Sequence, residues 1–423
     1  MFNTIEIIGL GYIGLPTATL FASRKKNVIG VDVNPYAVDT INQGRIHIIE
    51  PELDMLVHAA VTSGQLRATL QPEPADAFLI AVPTPFANGH KPDLSYIEAA
   101  ARAIAPVLRQ GNLVILESTS PVGTTEKLAA WLAEVRRDLT FPQVAGESAD
   151  IQIAYCPERV LPGRVVHELV ANDRVIGGMT ERATRMAIEL YRTFVEAELI
   201  ATNARTAEMC KLAENSFRDV NIAFANELSI ICDKLDINVW ELIQLANRHP
   251  RVNILQPAAG VGGHCIAVDP WFIVDSAPDQ ARLISTARGV NDSKPEWVLG
   301  KIKSAVEEVL ATNPGKARQD VKIACLGLAF KPDIDDLRES PAMEITGRVQ
   351  RLGCHVLVAK PNIENIPPAL AASNVELVDV REALREADVI CVLVKHRPFI
   401  DEISTLKNHP KVIDAVGLST SLA

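Results

Sequence analysis

Residues 9–14 read GLGYIG and stand directly between the mainly apolar run 5–8 and LPTATLFASR, a segment with the apolar spacing of a helix. A strand, a glycine-rich turn and a helix in that order constrain the fold more than any other feature of the chain. Such a unit has few stable solutions other than the opening of a parallel, doubly wound sheet that binds a dinucleotide. Gly9 permits the tight turn, Gly11 lets the backbone approach a pyrophosphate at the helix N-terminus, and Gly14 allows close packing of helix on strand. The phosphates then meet amide donors rather than side chains. Asp32 ends the next apolar run, where it can accept hydrogen bonds from a ribose and would repel a 2′-phosphate, which favours NAD over NADP. Arg24, Lys25 and Lys26 precede that run and read as a solvated helix end.

The first 200 residues repeat the pattern. Short β-branched runs at 5–9, 27–32, 76–82, 112–118, 151–156 and 174–178 alternate with helical stretches, which implies right-handed crossovers and a mostly parallel sheet. From about Asn203 to Leu235 there is no Gly or Pro, and apolar residues recur at three- and four-residue spacing, so the sequence predicts one long helix. At 1.5 Å per residue it would reach roughly 50 Å, longer than one small domain requires, and it is expected to bridge domains and pack against a second subunit. Helical patterning continues to about Leu310. After the Pro-, Gly- and charge-bearing linker 311–320, strands are expected at 321–327, 355–359, 375–378, 388–394 and 411–416. The expected fold is α/β: two Rossmann-like parallel-sheet domains, 1–200 and 318–423, joined by a central helical domain, 201–312. The outer domains share a strand–turn–helix opening and read as related folds.

Lys plus Arg number 42 and Asp plus Glu 52, a net charge of −10, which argues against nucleic-acid binding through a broad basic surface. An anionic ligand must therefore meet a local positive site. The seven cysteines are an odd number and most lie in apolar runs, which reads as buried reduced thiols in a cytoplasmic protein. The uncharged run 7–22 is interrupted by glycines and followed, not preceded, by basic residues, so neither a membrane span nor an export signal is expected. No metal site is expected.

Cys265 differs from the other cysteines. It lies in GVGGHCIAVDP, 260–270, beside His264 and four residues before Asp269, and the three glycines would let a substrate approach the sulfur. An average intracellular cysteine is core filler. A thiolate near a hydride acceptor has another use, which is to add to an aldehyde so that a second hydride can leave and generate a thioester. On the long helix Lys211, Asn215 and Arg218 form one polar stripe, which in the ordinary case is a solvent face. Alternatively Lys211 and Asn215 face a cleft, where a cation and an amide donor stabilise an oxyanion.

Taken together, these segments resemble the nucleotide-sugar 6-dehydrogenases, the UDP-glucose/GDP-mannose dehydrogenase family, along essentially the whole chain. GLGYIGLP resembles the family's cofactor turn, ESTSPVGTT (117–125) its STxPxGT segment, and KLAENSF (211–217) its helix with catalytic Lys and Asn. GVGGHCIAVDP resembles the nucleophile loop, and FKPDIDDLRESP (330–341) the opening of the domain that binds UDP. The resemblance implies Cys265 as nucleophile, Lys211 and Asn215 as oxyanion partners, and Asp269 as the residue that helps manage water and protons. It further implies Glu158, in CPERVLPG, near the reacting sugar and Thr119 beside cofactor and water. NAD would be held by Gly9, Gly11, Tyr12, Ile13, Gly14, Asp32, Thr84, Thr125 and Arg338. The UDP-sugar would be held by Arg159, Val160, Lys211, Asn215, Arg218, His249, Arg251, Gly262 and Lys331. HCIAVDPWF and PERVLPG look like the N-acetylhexosamine branch, although Ala267 departs from the commoner Pro. The implied reaction is oxidation of UDP-N-acetylmannosamine at C6 by two NAD in a cytoplasmic homodimer. UDP-N-acetylglucosamine and UDP-glucose are the same-class alternatives. An NAD-retaining epimerase or a non-catalytic NAD-binding module would leave Cys265 without a purpose.

Overall fold

The computed structural model describes every residue except Met1, Ile49, Pro162, His264, 362–364 and 420–423. It divides into two compact units: Met1–Glu214 with Trp271–Ala277, and Asn215–Pro270 with Pro278–Ala423.

The first unit is built on eight strands: β1 (Thr4–Ile8), β2 (Asn27–Val31), β3 (Leu66–Thr69), β4 (Ala77–Ile80), β7 (Leu113–Leu116), β8 (Gln152–Tyr155), β9 (Arg174–Gly178) and β10 (Leu199–Asn203). A small antiparallel hairpin, β5 (Phe86–Ala87) with β6 (Lys91–Pro92), stands apart from them. Their order is β10-β9-β8-β7-β4-β1-β2-β3, and every pairing is parallel except β8 with β9. The six runs expected from sequence are all strands here. β3 and β10 carry no strand signal in the sequence, since LRAT and LIATN are short and lack a sustained apolar run. In β4, β7 and β8 every residue is buried, as strands covered on both faces must be. One apolar cluster, with Ile5, Ile7 and Phe21, fills one face, and another, with Phe78, Ile80 and Ile97, fills the other.

In the second unit β11 (Lys322–Leu326), β12 (His355–Ala359), β13 (Val375–Val378), β14 (Val389–Val392) and β15 (Val412–Asp414) form a fully parallel sheet in the order β13-β12-β11-β14-β15. The first strand is flanked by the second and fourth, just as β1 is flanked by β2 and β4, so both sheets reverse their strand order at their opening strand. A crevice for a ligand forms at such a reversal, outside the carboxyl ends of the strands. The expected long helix runs Ala204–Lys234, and a second one of 31 residues, Arg282–Thr312, continues through Pro295. Among the described residues no helix is long and apolar enough to cross a membrane.

Candidate active site

The glycine turn leaves β1 at the reversal point of the first sheet. Gly9 has φ +92°, and a Cβ there would lie 2.6 Å from the Ala81 carbonyl oxygen; at Gly14 it would lie 1.8 Å from the Gly9 oxygen. Both glycines are demanded by backbone packing. At Gly11 a Cβ would meet nothing within 4 Å, which is the open approach a pyrophosphate needs. The following helix, Gly14–Ser23, starts there and directs its amides at that space. Tyr12 is exposed and Ile13 half-buried. Asp32 Oδ2 accepts the Leu10 amide and Oδ1 the Asn34 amide, both at 2.9 Å, so the carboxylate organises the turn and keeps lone pairs that ribose hydroxyls could use. Thr84 Oγ1 is buried with no hydrogen-bond partner among the described residues. An open glycine, an oriented carboxylate and an orphan hydroxyl fit a bound NAD.

Thr119 is half-buried on the loop after β7, where Ser118 Oγ donates to the Val82 oxygen at 2.7 Å. The same loop runs into the helix Thr124–Val135, whose N-terminus is capped from the long helix. Glu208, fully buried, accepts the Gly123 amide at 2.6 Å, the Thr125 amide at 2.8 Å and the Thr125 hydroxyl at 2.6 Å. Burial pushes the Glu208 carboxyl up, and the bonds from Thr125 and Gly123 oppose this. The Thr125 hydroxyl is thus engaged inside the protein rather than presented to a cofactor. One turn beyond Glu208, the Lys211 ammonium donates to Glu158 Oε1 at 3.2 Å, and Glu158 Oε2 accepts the Val160 amide at 2.9 Å. Lys211 is only 6% exposed, so the solvent-face reading of the polar stripe is wrong for it: a largely covered carboxylate, Glu158 on the loop that follows β8, supplies the partner that makes burial tolerable. Arg218, in contrast, is exposed. Arg159 pairs with Glu214 at 2.8 Å and donates to the Asp173 oxygen.

In the second unit Asn215 Nδ2 donates to Asp269 Oδ2 at 2.5 Å. Asp269 opens the helix Asp269–Ser276, and its amide closes a turn on the Cys265 oxygen at 2.9 Å, which ties the cysteine loop to Asn215. Cys265 is exposed, whereas Cys156, Cys232, Cys325, Cys354 and Cys391 are buried and Cys210 is intermediate. His264 lies outside the described residues. The glycines before the thiol have a different reason from the one expected. A Cβ at Gly262 would fall 2.4 Å from the Glu339 oxygen, at Gly263 2.8 Å from the Phe330 ring, and at Gly260 2.8 Å from Pro341. They are small so that the loop can lie against the segment 330–341, and the Gly263 amide donates to the Arg338 oxygen at 3.1 Å. Lys331 is half-buried; Arg338 is exposed and pairs with Asp336 at 2.7 Å. His249 and Arg251 are both exposed. No cluster that could hold a metal occurs among the described residues.

A glycine turn at a sheet's reversal point, with an acidic residue ending the second strand, defines an NAD-dependent oxidoreductase of the doubly wound type. The chain belongs to the UDP-glucose/GDP-mannose dehydrogenase family: residues 3–195 match its NAD binding domain, 205–293 its central domain and 324–420 its UDP binding domain. Its relatives include a UDP-N-acetyl-D-mannosamine dehydrogenase of Yersinia pestis, 64% identical over 94% of each chain. An NDP-N-acetyl-D-galactosaminuronic acid dehydrogenase of Ralstonia nicotianae is also 64% identical, over 99% of this chain and 96% of that one. The solved structure of a UDP-D-ManNAc dehydrogenase from Pyrococcus horikoshii is 38% identical and covers 99% of this chain and 96% of its own, with a TM-score of 0.86.

Proposed function

We propose that this chain oxidises UDP-N-acetyl-D-mannosamine at C6 to the uronate, with consumption of two NAD and one water. The observation that carries the reading is the exposed Cys265 on a loop tied through Asp269 to Asn215, while the other cysteines are buried or half-buried. Bound NAD, held by Gly9, Gly11, Gly14 and Asp32, supplies the hydride acceptor. Lys211 and Asn215 stabilise negative charge on the sugar oxygen as it develops. Loss of a first hydride and of the hydroxyl proton turns the C6 alcohol into an aldehyde; the Cys265 thiolate adds to it, and the resulting thiohemiacetal loses a second hydride to become a thioester. Water cleaves it and frees the Cys265 thiol, with Glu158 and Asp269 as the carboxylates able to take the water's proton and Thr119 as a hydroxyl that orders cofactor and water. Arg159, Arg218, His249, Arg251, Lys331 and Arg338 supply the local positive charge for a nucleoside diphosphate that an acidic protein otherwise lacks.

In this reading residues 1–200 bind NAD, 318–423 bind UDP, and 201–312 hold two copies together in a cytoplasmic homodimer. Support for the dimer comes from the long helix. Phe217, Phe224 and Ile231 recur every seven residues on one face and are 73%, 55% and 43% exposed. A second reading, an N-acetylgalactosamine nucleotide as substrate, is favoured by the equal identity of the Ralstonia relative. Both are separated by measuring NADH release against UDP-linked N-acetylmannosamine, N-acetylglucosamine, N-acetylgalactosamine and glucose. Two NADH per N-acetylmannosamine nucleotide is the expected result; no NADH from any of the four would refute a dehydrogenase.

A further inference from the structure

β7 and β8 run parallel with Leu116 opposite Tyr155, and the next residue along each is Glu117 and Cys156 respectively, both fully buried. β9 runs antiparallel to β8, so its first residue, Arg174, comes alongside the segment that leaves β8 toward Glu158. Arg174 Nη1 lies 3.7 Å from Glu117 Oε1 and 3.7 Å from Cys156 Sγ. Tyr191, at the end of the helix Glu181–Tyr191, donates its hydroxyl to Glu117 Oε1 at 2.5 Å and places its ring 4.7 Å from the guanidinium carbon. Glu117 Oε2 has no hydrogen-bond partner among the described residues.

A carboxylate and a guanidinium removed from water cost more than an apolar pair of the same volume would, so their presence calls for a reason other than stability. Their place in the fold supplies one. Glu117 stands two residues before Thr119, and Cys156 two residues before Glu158, so the pair lies directly behind both loops. We propose that Glu117 and Arg174 are positioning residues whose opposed buried charges set the charge balance of the Glu158–Lys211 pair, and with it the pH range of turnover. This rests on the reading that Glu158 and Lys211 act at the sugar.

The groups packed around Glu117 are Arg174 from β9, Tyr191 from its helix and Cys156 at the end of β8, and the Glu158 carboxyl two residues beyond Cys156 adds a like charge that works with burial to push Glu117 up. Burial pushes the Glu117 carboxyl up, while Arg174 and Tyr191 draw it down. With little water between them, each charge acts strongly on its neighbours; removal of the carboxylate leaves the guanidinium unopposed, whereas removal of the guanidinium leaves a buried carboxyl that takes up a proton.

The test is kcat/KM against pH with NAD and whichever UDP-sugar of the panel releases NADH. Glu117→Gln leaves the Arg174 cation, which stays charged, unopposed and is expected to move the acid limb to lower pH by about half a unit or more. Arg174→Gln deprives the buried Glu117 carboxylate of its cation, so Glu117 takes up a proton, both charges are lost together, and the limb is expected to stay within about 0.2 units of its natural place. A purely structural pair would lower Tm in both variants and leave the limb in place in each. A limb that Glu117→Gln does not move, or two limbs displaced the same way, overturns the proposal. Should Arg174→Gln not fold, Arg174→Lys keeps the charge and must leave the limb in place, with displacement counting against the proposal. Glu158→Gln is the separate control: retained turnover there refutes the underlying role of Glu158, whereas its loss beside a failed sign test refutes the Glu117–Arg174 proposal alone.

Discussion

Lys211 and Glu158, 53 residues apart in the chain, meet through a 3.2 Å hydrogen bond while both are largely withdrawn from water. One turn earlier on the same helix Glu208 grips the Gly123–Thr125 turn with three hydrogen bonds. The first three turns of the long helix are thereby held to the loops that follow β7 and β8, and the Lys211 ammonium has a defined place. In the role proposed for Lys211, a cation is effective to the extent that its geometry is set before the reaction begins.

Cys265→Ser should bind UDP-sugar and NAD nearly as the natural protein does, because the hydroxyl is close in size and no binding role falls to the sulfur. Its turnover should drop by on the order of ten-thousandfold, since serine has far less anion at neutral pH. Stopped NADH release combined with mass spectrometry of the protein checks this: a sugar adduct at position 265 supports the acyl route, and full activity of the serine variant refutes it.

Asp32→Arg should weaken NAD binding at least about tenfold and improve tolerance of NADP, since the ribose acceptor becomes a phosphate partner. The two amides of Leu10 and Asn34 also lose their acceptor. Thermal unfolding of the variant should therefore show a loss of about 1 to 3 kcal/mol. Unchanged NAD affinity by titration calorimetry would contradict the placement of the ribose.

Glu6 lies inside β1 with one carboxyl oxygen accepting the Glu73 amide at 2.7 Å and the other unpaired among the described residues. Burial pushes its carboxyl from 4.5 up to about 8. Between those values the unfolded chain releases the proton and the folded one keeps it, so stability falls as pH rises from 4.5 through 8. Glu6→Gln removes the ionisation and should flatten that fall, gaining about 2 kcal/mol or more at pH 8 relative to pH 5. Denaturant unfolding at the two pH values measures it, and an unchanged slope sinks the claim.

Phe224→Glu puts a charge in the middle of the exposed apolar stripe that includes Phe217 and Ile231. If that stripe holds two copies together, sedimentation should show a dimer for the natural chain at micromolar concentration and a monomer for the variant. A natural chain that sediments as a monomer would end the dimer proposal.

Much of this was legible in the order of residues. Strand, turn and helix signals are local, so the glycine turn, Asp32, the six first-unit strands expected from sequence, the five of the second sheet and the long helix could all be read without tertiary information. The cysteine loop 260–270 and the Lys211–Asn215 spacing also stand out in the sequence, through their motifs. The tertiary structure alone decided that Lys211 is buried while Arg218 is exposed, since one helical stripe carries both and only a distant carboxylate distinguishes them. It also decided that Gly262 and Gly263 are small for Phe330 and Glu339, and that the Thr125 hydroxyl belongs to Glu208. Glu117, Arg174 and Tyr191 gave no signal at all, because a charged residue at a strand end looks the same in sequence whether water or another strand covers it. Local geometry follows from neighbouring residues, but the dielectric around a charge is set by whatever the rest of the chain packs against it.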